Sequence, residues 1–373
     1  MTLRISPISR EQHLAYVNSL PSASFLQTPA WAVVKSDWKS EHIGWFADDE
    51  LVGVALILLR NIPKLPKWFA YIPEGPLLNW QGPTAQIDQA LSLLVEYAKK
   101  QNVFLLRIGP TVEKSIWSAA TMKAALAGQE IETLSKPTPD VINANAVTLC
   151  DHLRSAGWQA PKGEDGFGLG QPQFVYQLSL AGKTRDDLLT GFNQLWRRNL
   201  KRAEKEGVAI ELGSGKDLAD FHQVYVETAK RDEFIARPLA YFQRMWEAMQ
   251  AEDPDRIFIY LAKWQGQVVA ATIMVRVGNH AWYSYGASST HGREARGSNA
   301  IQWRMMQDAL DSGAAIYDLR GITSTLDPKD PHVGLIQFKL GVGGQAVEYI
   351  GEWDYQISRF WSLIFAQLLR LRR

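Results

Sequence analysis

The chain has 373 residues, 46% of them hydrophobic and 21% charged, and a formal net charge of +1. That length suits two domains better than one, and the near-neutral balance excludes a chain-wide nucleic-acid footprint, so any RNA contact must be local. A single cysteine, Cys150, excludes an intramolecular disulfide and a cysteine-based zinc site, while the histidines show neither HxxxH nor HxxEH spacing, which argues against a metal enzyme.

The first residues carry no apolar signal-peptide core. The longest apolar runs, Leu51–Leu59 and Phe360–Leu369, reach about half of what a membrane span needs. A cytoplasmic protein is expected, compatible with contact at a membrane surface.

Trp45 and Phe46 lie on an incoming strand, Asp48-Asp49-Glu50 makes a turn, and Val52–Leu59 is the second strand of a hairpin. Trp68–Ile72 is a third strand, ended by Pro73-Glu74-Gly75-Pro76. Gln86–Lys100 sets Ile87, Ala90, Leu91, Leu94 and Val95 at helical spacing, and Phe104–Ile108 follows as a buried strand. Pro110–Gln171, rich in Pro, Gly, Thr and Asn, reads as the end of a first domain and a connector, with a short helix near Ala146–Ala156. Thr184–Glu206, Leu218–Thr228 and Leu239–Ala251 read as three helices.

The first order then recurs. Ile257–Lys263 and Val268–Val277 flank a turn, Ala281–Tyr285 is an aromatic strand, Ser298–Asp311 a helix and Ala315–Leu319 the strand after it. Gly53 pairs with Ala270 and Trp68 with Trp282, offsets of 217 and 214 residues. An offset that stays nearly constant over three strands and a helix marks a duplicated α/β unit; two unrelated α/β domains are the alternative. Strand Val347–Glu352 leads into helix Ile357–Arg372, apolar over most of its surface and followed by Arg373. Such a helix is expected to pack back on the fold, although a basic apolar helix also suits a lipid surface.

Three segments carry candidate chemistry. Arg197, Arg198, Lys201, Arg202 and Lys205 fall within nine residues of one helix, and spacings of three and four put Arg197, Lys201 and Lys205 on one stripe. With Trp196 at its start, that stripe suits phosphate binding, or is a solvated face balanced by Glu204 and Glu206. Lys339, between Phe338 and the Gly341-Val342-Gly343-Gly344 turn, can point an ammonium at the oxyanion of an acyl transfer, or is an ordinary surface lysine. Arg296-Gly297-Ser298-Asn299-Ala300 stands where N-acetyltransferases carry a glycine-rich pyrophosphate loop. It lacks the second glycine of that loop, which disfavours coenzyme A.

Several stretches resemble one family. Ser24-Phe25-Leu26-Gln27-Thr28-Pro29-Ala30-Trp31-Ala32-Val33-Val34-Lys35 is similar to the opening signature of the Fem (FemA/FemB/FemX) peptidoglycan-bridge aminoacyltransferases, and Tyr71-Ile72-Pro73-Glu74-Gly75-Pro76 resembles their Y-I-P-x-G-P element. Gln171 to Leu180, the run Arg197–Ala203, Tyr283–Ser289, Tyr317-Asp318 with Gly321-Ile322, and Gly334 to Lys339 match in order and spacing. The resemblance spans roughly residues 24–345.

It implies an α/β (α+β) fold of two tandem acetyltransferase-like (GNAT-type) domains, with mixed sheets flanked by helices. The first covers 1–165 and is completed by 346–373; the second covers 166–345. It also implies transfer of an amino acid from aminoacyl-tRNA to an amine of the stem peptide of lipid II or UDP-MurNAc-pentapeptide. No cofactor is needed, since a tRNA ester replaces acyl-CoA. Lys35 and the Arg197, Arg198 and Lys201 helix would hold precursor phosphates, Tyr285 would line the acceptor channel, and Lys339 beside Phe338 would steady the tetrahedral intermediate. A monomer is expected, with transient contact at the inner membrane face. An acyl-CoA-dependent N-acyltransferase and a non-catalytic tRNA- or precursor-binding protein are the alternatives.

The chain departs from the family pattern twice. Gly109 precedes Pro110 where members often have an acidic residue, and there is no long charged heptad insert, so the compact FemX type is expected.

Overall fold

A computed structural model describes residues 3–128, 133–161, 170–327, 329–330 and 333–370. The chain forms two compact units, one of Met1–Ile116, Val141–Gln173 and Glu348–Arg373, the other of Trp117–Asp140 and Phe174–Val347. The first unit begins with β1 (Leu3–Pro7), α1 (Arg10–Ser19), α2 (Pro29–Val34), β2 (Lys39–Ala47), β3 (Glu50–Asn61), β4 (Trp68–Ile72), α3 (Thr84–Lys100) and β5 (Val103–Ile108). β6 (Glu113–Ser118) leads to α4 (Ala119–Ala127) of the second unit, and β7 (Val141–Ile142) and α5 (Ala144–Ser155) return to the first.

The second unit continues with β8 (Phe174–Ser179), α6 (Arg185–Gly191), α7 (Gln194–Lys205), β9 (Ala209–Gly213), α8 (Leu218–Arg231) and α9 (Leu239–Glu252). Then come β10 (Ile257–Trp264), β11 (Gln267–Val277), β12 (His280–Ser288), α10 (Gly297–Asp311), β13 (Ile316–Ile322), α11 (Val333–Leu340) and β14 (Gln345–Tyr349). β15 (Trp353–Gln356) and α12 (Arg359–Arg370) go back to the first unit.

The sheet of the first unit runs β1-β2-β3-β4-β5-β15, and that of the second contains the run β9-β10-β11-β12-β13-β8. Each has antiparallel strands up to a parallel pair, β4–β5 or β12–β13, joined by a helix, α3 or α10. Each is then extended by an antiparallel strand from a distant part of the chain, β15 on β5 and β8 on β13. The repeat is therefore longer than the sequence pattern shows, because β1 and α1 correspond to β9 and α8. The pattern misses α1 since only His13 and Val17 of its ten residues are buried.

Apolar faces at helical spacing hold each helix to its sheet. Ile87, Leu91 and Leu94 of α3 pack with Ile57, Ile72 and Leu106; Ile301, Met305 and Ala309 of α10 pack with Tyr260, Ala262 and Ala270.

Two expectations are corrected. Thr184–Glu206 is two helices, because Phe192 is extended and the Asn193 side chain accepts from the Trp196 amide to start α7 afresh. Residues 117–140 are not a connector of the first unit: Trp117, Met122, Ala125 and Leu134 are buried in the core of the second. No helix among the described residues is long and apolar enough to cross a membrane. The longest, α3, has 17 residues, so none forms an extended coiled-coil arm.

Candidate active site

In the second unit β12 and β13 pair in parallel only over His280–Trp282 and Ile316–Asp318. Both strands are irregular just beyond that point. β12 shifts register against β11 between Tyr283 and Tyr285, and β13 shifts against β8 between Asp318 and Gly321. Arg320 takes φ +63°, a left-handed conformation that a non-glycine residue adopts only where its surroundings compel it. Bulges of this kind re-aim backbone groups out of the ladder.

Lys339 satisfies the freed carbonyls. Its Nζ donates to Gly321 O at 2.6 Å and to Arg320 O at 3.3 Å, and the residue is buried. It lies in α11, not on the glycine turn, and its ammonium does not reach into open solvent. Burial pushes its pKa down to about 7, with the Asp318 charge opposing. An ammonium has three N–H donors, so two fixed by carbonyls leave one to be aimed elsewhere.

Asp318 is fully buried and accepts from the Arg320 amide at 2.6 Å, from Gln177 Nε2 at 3.2 Å and from His280 Nε2 at 3.3 Å. Burial alone would raise its carboxyl. The hydrogen bond and charge of His280, with Arg320 beside it, hold it below the usual carboxylate range instead. Trp282 stacks on His280 at 3.9 Å and fixes the imidazole. Thr323 Oγ1, two residues past Gly321, is buried with no hydrogen-bond partner among the described residues, so polar capacity is left over near the carbonyls that hold Lys339.

Phe338 and the basic helix meet here. Trp196, in the first turn of α7, donates from Nε1 to Phe338 O at 2.9 Å, and its ring lies 4.9 Å from that of Phe338. Gly341 lets this happen: a Cβ there would stand 2.0 Å from Trp196 Cδ1. Arg197, Arg198 and Lys201 are exposed and make no ion pair among the described residues, whereas Arg202 reaches Glu206 at 3.9 Å. Tyr285 lies apart from the lysine network, in an aromatic box. Its hydroxyl is 3.1 Å from that of Tyr241, and Phe242 meets its ring edge-on at 5.1 Å. Gly297, in the segment that stands where N-acetyltransferases carry a phosphate loop, is used for packing, since a Cβ there would meet Val269 at 3.0 Å and Ala262 at 3.2 Å.

In the first unit the two sequence signatures prove to be one device. Gln27 is fully buried. Its Nε2 donates to Pro73 O at 2.7 Å and its Oε1 accepts from Leu56 N at 2.9 Å, so it pins the Pro73–Pro76 turn to β3. Ser24 Oγ donates to Glu74 at 2.5 Å, and the Gly75–Pro76 bond is cis. Lys35 ends α2 with its Nζ 5.5 Å from the Trp31 ring.

Sequence reasoning missed Glu352. Tyr71 Oη donates to it at 2.5 Å, Gln171 N at 3.1 Å, and Arg107 lies 3.6 Å away while bonding Asp354 through two nitrogens. Burial raises its carboxyl against the pull of Arg107. It packs against Gly109, whose Cβ would stand 3.2 Å from Glu352 Cγ, so an acidic group occupies the place where this strand lacks one. The absent acid at Gly109 was the signal available; its replacement from residue 352 was not readable. Among the described residues no cluster of three or more His, Cys, Asp or Glu is placed to hold a metal.

A family model described as the FemAB family matches residues 8–265 and 256–368. The chain belongs to the FemAB family. Among curated FemAB relatives it is similar to a lipid II:glycine glycyltransferase of Staphylococcus aureus (strain MRSA252), 24% identical over 418 residues, with 94% of this chain and 92% of the relative covered. Of solved structures, that of FemX aligns with TM-score 0.79 and 22% identity over 97% of this chain and 99% of its own. A tandem GNAT protein from the clavulanic acid biosynthesis pathway aligns with TM-score 0.53 and 10% identity over 96% and 99%. The FemAB fold and the tandem acetyltransferase-like architecture are thus those of this chain.

Proposed function

We propose that this protein is an aminoacyltransferase that moves an amino acid from aminoacyl-tRNA to an amine on the stem peptide of a peptidoglycan precursor. Membership of the FemAB family supports the reaction class, and the S. aureus relative is named for transfer of glycine on lipid II. The observation that carries the reading is Lys339: a buried ammonium held by two bulge carbonyls, with one donor left, beside strands that have parted.

The acceptor nitrogen attacks the ester carbonyl, the C–N bond forms, and the carbonyl oxygen becomes an oxyanion. The spare Lys339 N–H stabilises that charge, an effect that grows in a water-poor site. The C–O bond to the ribose then breaks, and the proton lost by the amine ends on the ribose hydroxyl. Phe338 and Trp196 exclude water beside the lysine. Arg197, Arg198 and Lys201, exposed and without an ion pair among the described residues, are available to phosphates of the tRNA or the precursor, and Lys35 serves a precursor phosphate in its own unit. Tyr285 takes a place on the acceptor path. The protein acts as a monomer, without a cofactor, and in the cytoplasm.

The test is transfer of label from radiolabelled aminoacyl-tRNA to purified lipid II or UDP-MurNAc-pentapeptide. Label appearing in the precursor supports the reading. Transfer from acyl-CoA in its place, or binding of both substrates without turnover, would overturn it.

A further inference from the structure

Helix α12 has two unlike faces. Phe365 packs on Phe69 at 5.5 Å and on Phe104 at 5.3 Å, with Trp361, Ile364 and Leu368 against the same cluster. The other face leaves Phe360 64% and Leu363 67% exposed. Beside it runs the loop joining β3 and β4, where Lys67 Nζ lies 6.0 Å from the Trp361 ring and Leu65 is 40% exposed next to Lys64. Arg60, at the end of β3, covers the ring of Trp38, another member of that cluster, at 5.5 Å.

The charge of these segments is one-sided. No Asp or Glu occurs from Leu51 to Pro73 or from Tyr355 to Arg373, stretches that include Arg60, Lys64, Lys67, Arg359 and Arg370. In a chain with 40 basic and 39 acidic residues, that is segregation rather than composition. Asp37, beside Trp38, is an exposed acid next to these segments in the sequence.

We propose that α12 and the β3–β4 loop form a docking surface for an anionic lipid bilayer. Phe360, Leu363 and Leu65 enter the interface, and Lys64, Lys67 and Arg359 meet headgroup phosphates. Exposed apolar side chains interleaved with cations suit a lipid interface, where the apolar groups are buried and the ammonium and guanidinium groups stay in the headgroup layer. Tryptophans capped by cations, as Trp361 and Trp38 are, fit the same boundary, with the ring body apolar and its rim polar. At about 18 Å, a twelve-residue helix lies on such a surface and cannot span it.

The experiment is co-sedimentation of the full chain with vesicles of phosphatidylcholine alone or mixed with phosphatidylglycerol. Phosphatidylglycerol vesicles should bind roughly tenfold more tightly or better, with that advantage lost in high salt. Phe360→Ser with Leu363→Ser should lower binding at least tenfold, since even partial burial of two apolar side chains is worth that much. Lys64→Glu with Lys67→Glu should abolish the preference for anionic lipid. Neither pair should alter the far-ultraviolet spectrum or transfer to a soluble nucleotide-linked acceptor, so vesicle binding is read independently of the acyl-transfer reading. Equal binding to neutral vesicles, or parent-like binding by both pairs of variants, would sink the proposal. So would light scattering that shows a dimer dissociated by Phe360→Ser with Leu363→Ser, since the face would then belong to a second copy.

Discussion

The parallel strand pairs of the two units begin alike and end differently. In the first, β4 and β5 shift register once at the start, between Trp68 and Phe69, and then stay paired through Ile72 and Ile108. Tyr71 on β4 and Arg107 on β5 are then tied to Glu352 and Asp354, which the C-terminal segment supplies. In the second, β12 and β13 separate after Trp282 and Asp318, both strands bulge, and a lysine from α11 takes the carbonyls that the bulge releases. A closed pair filled with the protein's own ion pairs is a frame. A parted pair with a buried amine has chemistry to offer. Duplication kept the topology, and the parting of β12 from β13 beyond Trp282 and Asp318 separated the roles.

Lys339→Met should break this contrast most. Removing one preorganised oxyanion donor typically costs about 10²–10³-fold in rate, so single-turnover transfer should fall by that order while the fold persists by circular dichroism. An unchanged rate would leave the second unit as inert as the first. The pH profile sharpens the same point. The donor is the protonated amine, and burial holds its pKa at about 7, so the transfer rate should decline as pH rises through 7. A rate that climbs through that window would instead make Lys339 a base.

The frame has its own pH signature. His13 is fully buried, its Nε2 bonded to Gln27 O at 2.8 Å, and burial and His42 push its pKa down to about 3. The unfolded chain therefore takes up a proton that the folded chain refuses. This stability is fully present above about pH 6.5 and is lost as pH falls toward 3. On the order of 3 kcal/mol should disappear between pH 7 and pH 4 in urea titrations, and His13→Gln should flatten that slope.

Glycines test the two regions in parallel. A Cβ at Gly170 would stand 1.9 Å from Glu352 Oε2, and one at Gly341 2.0 Å from Trp196 Cδ1. Each alanine should cost about 1–3 kcal/mol by overpacking, but only Gly341→Ala, which displaces Trp196 from Phe338, should also lower kcat. Equal losses of kcat would erase the distinction between frame and site. The smallest effect is expected from Arg198→Ala with Lys201→Ala. Stability should stay within about 0.5 kcal/mol, and KM for the phosphate-bearing substrates should rise a few-fold, more at low salt.

The sequence by itself determined the duplication, the succession of three strands, a helix and a further strand in each copy, and the helices with clear apolar stripes, because periodicity and side-chain size act locally. It also singled out Lys339, Phe338 and the Arg197–Lys201 helix, since a cationic stripe and an aromatic–lysine pair are visible within one turn. It misjudged Thr184–Glu206, where one asparagine cap outweighs a continuous pattern. Tertiary structure alone decided the rest. Asp318, His280 and Gln177 come from three strands that are neighbours only in the sheet, and Gln27 meets Pro73 across 46 residues. Glu352 reaches Tyr71 across 281 residues, onto a sheet that β15 completes. Their roles follow from which buried polar group meets which, and that pairing is set by sheet order and two bulges rather than by the neighbours of any residue along the chain.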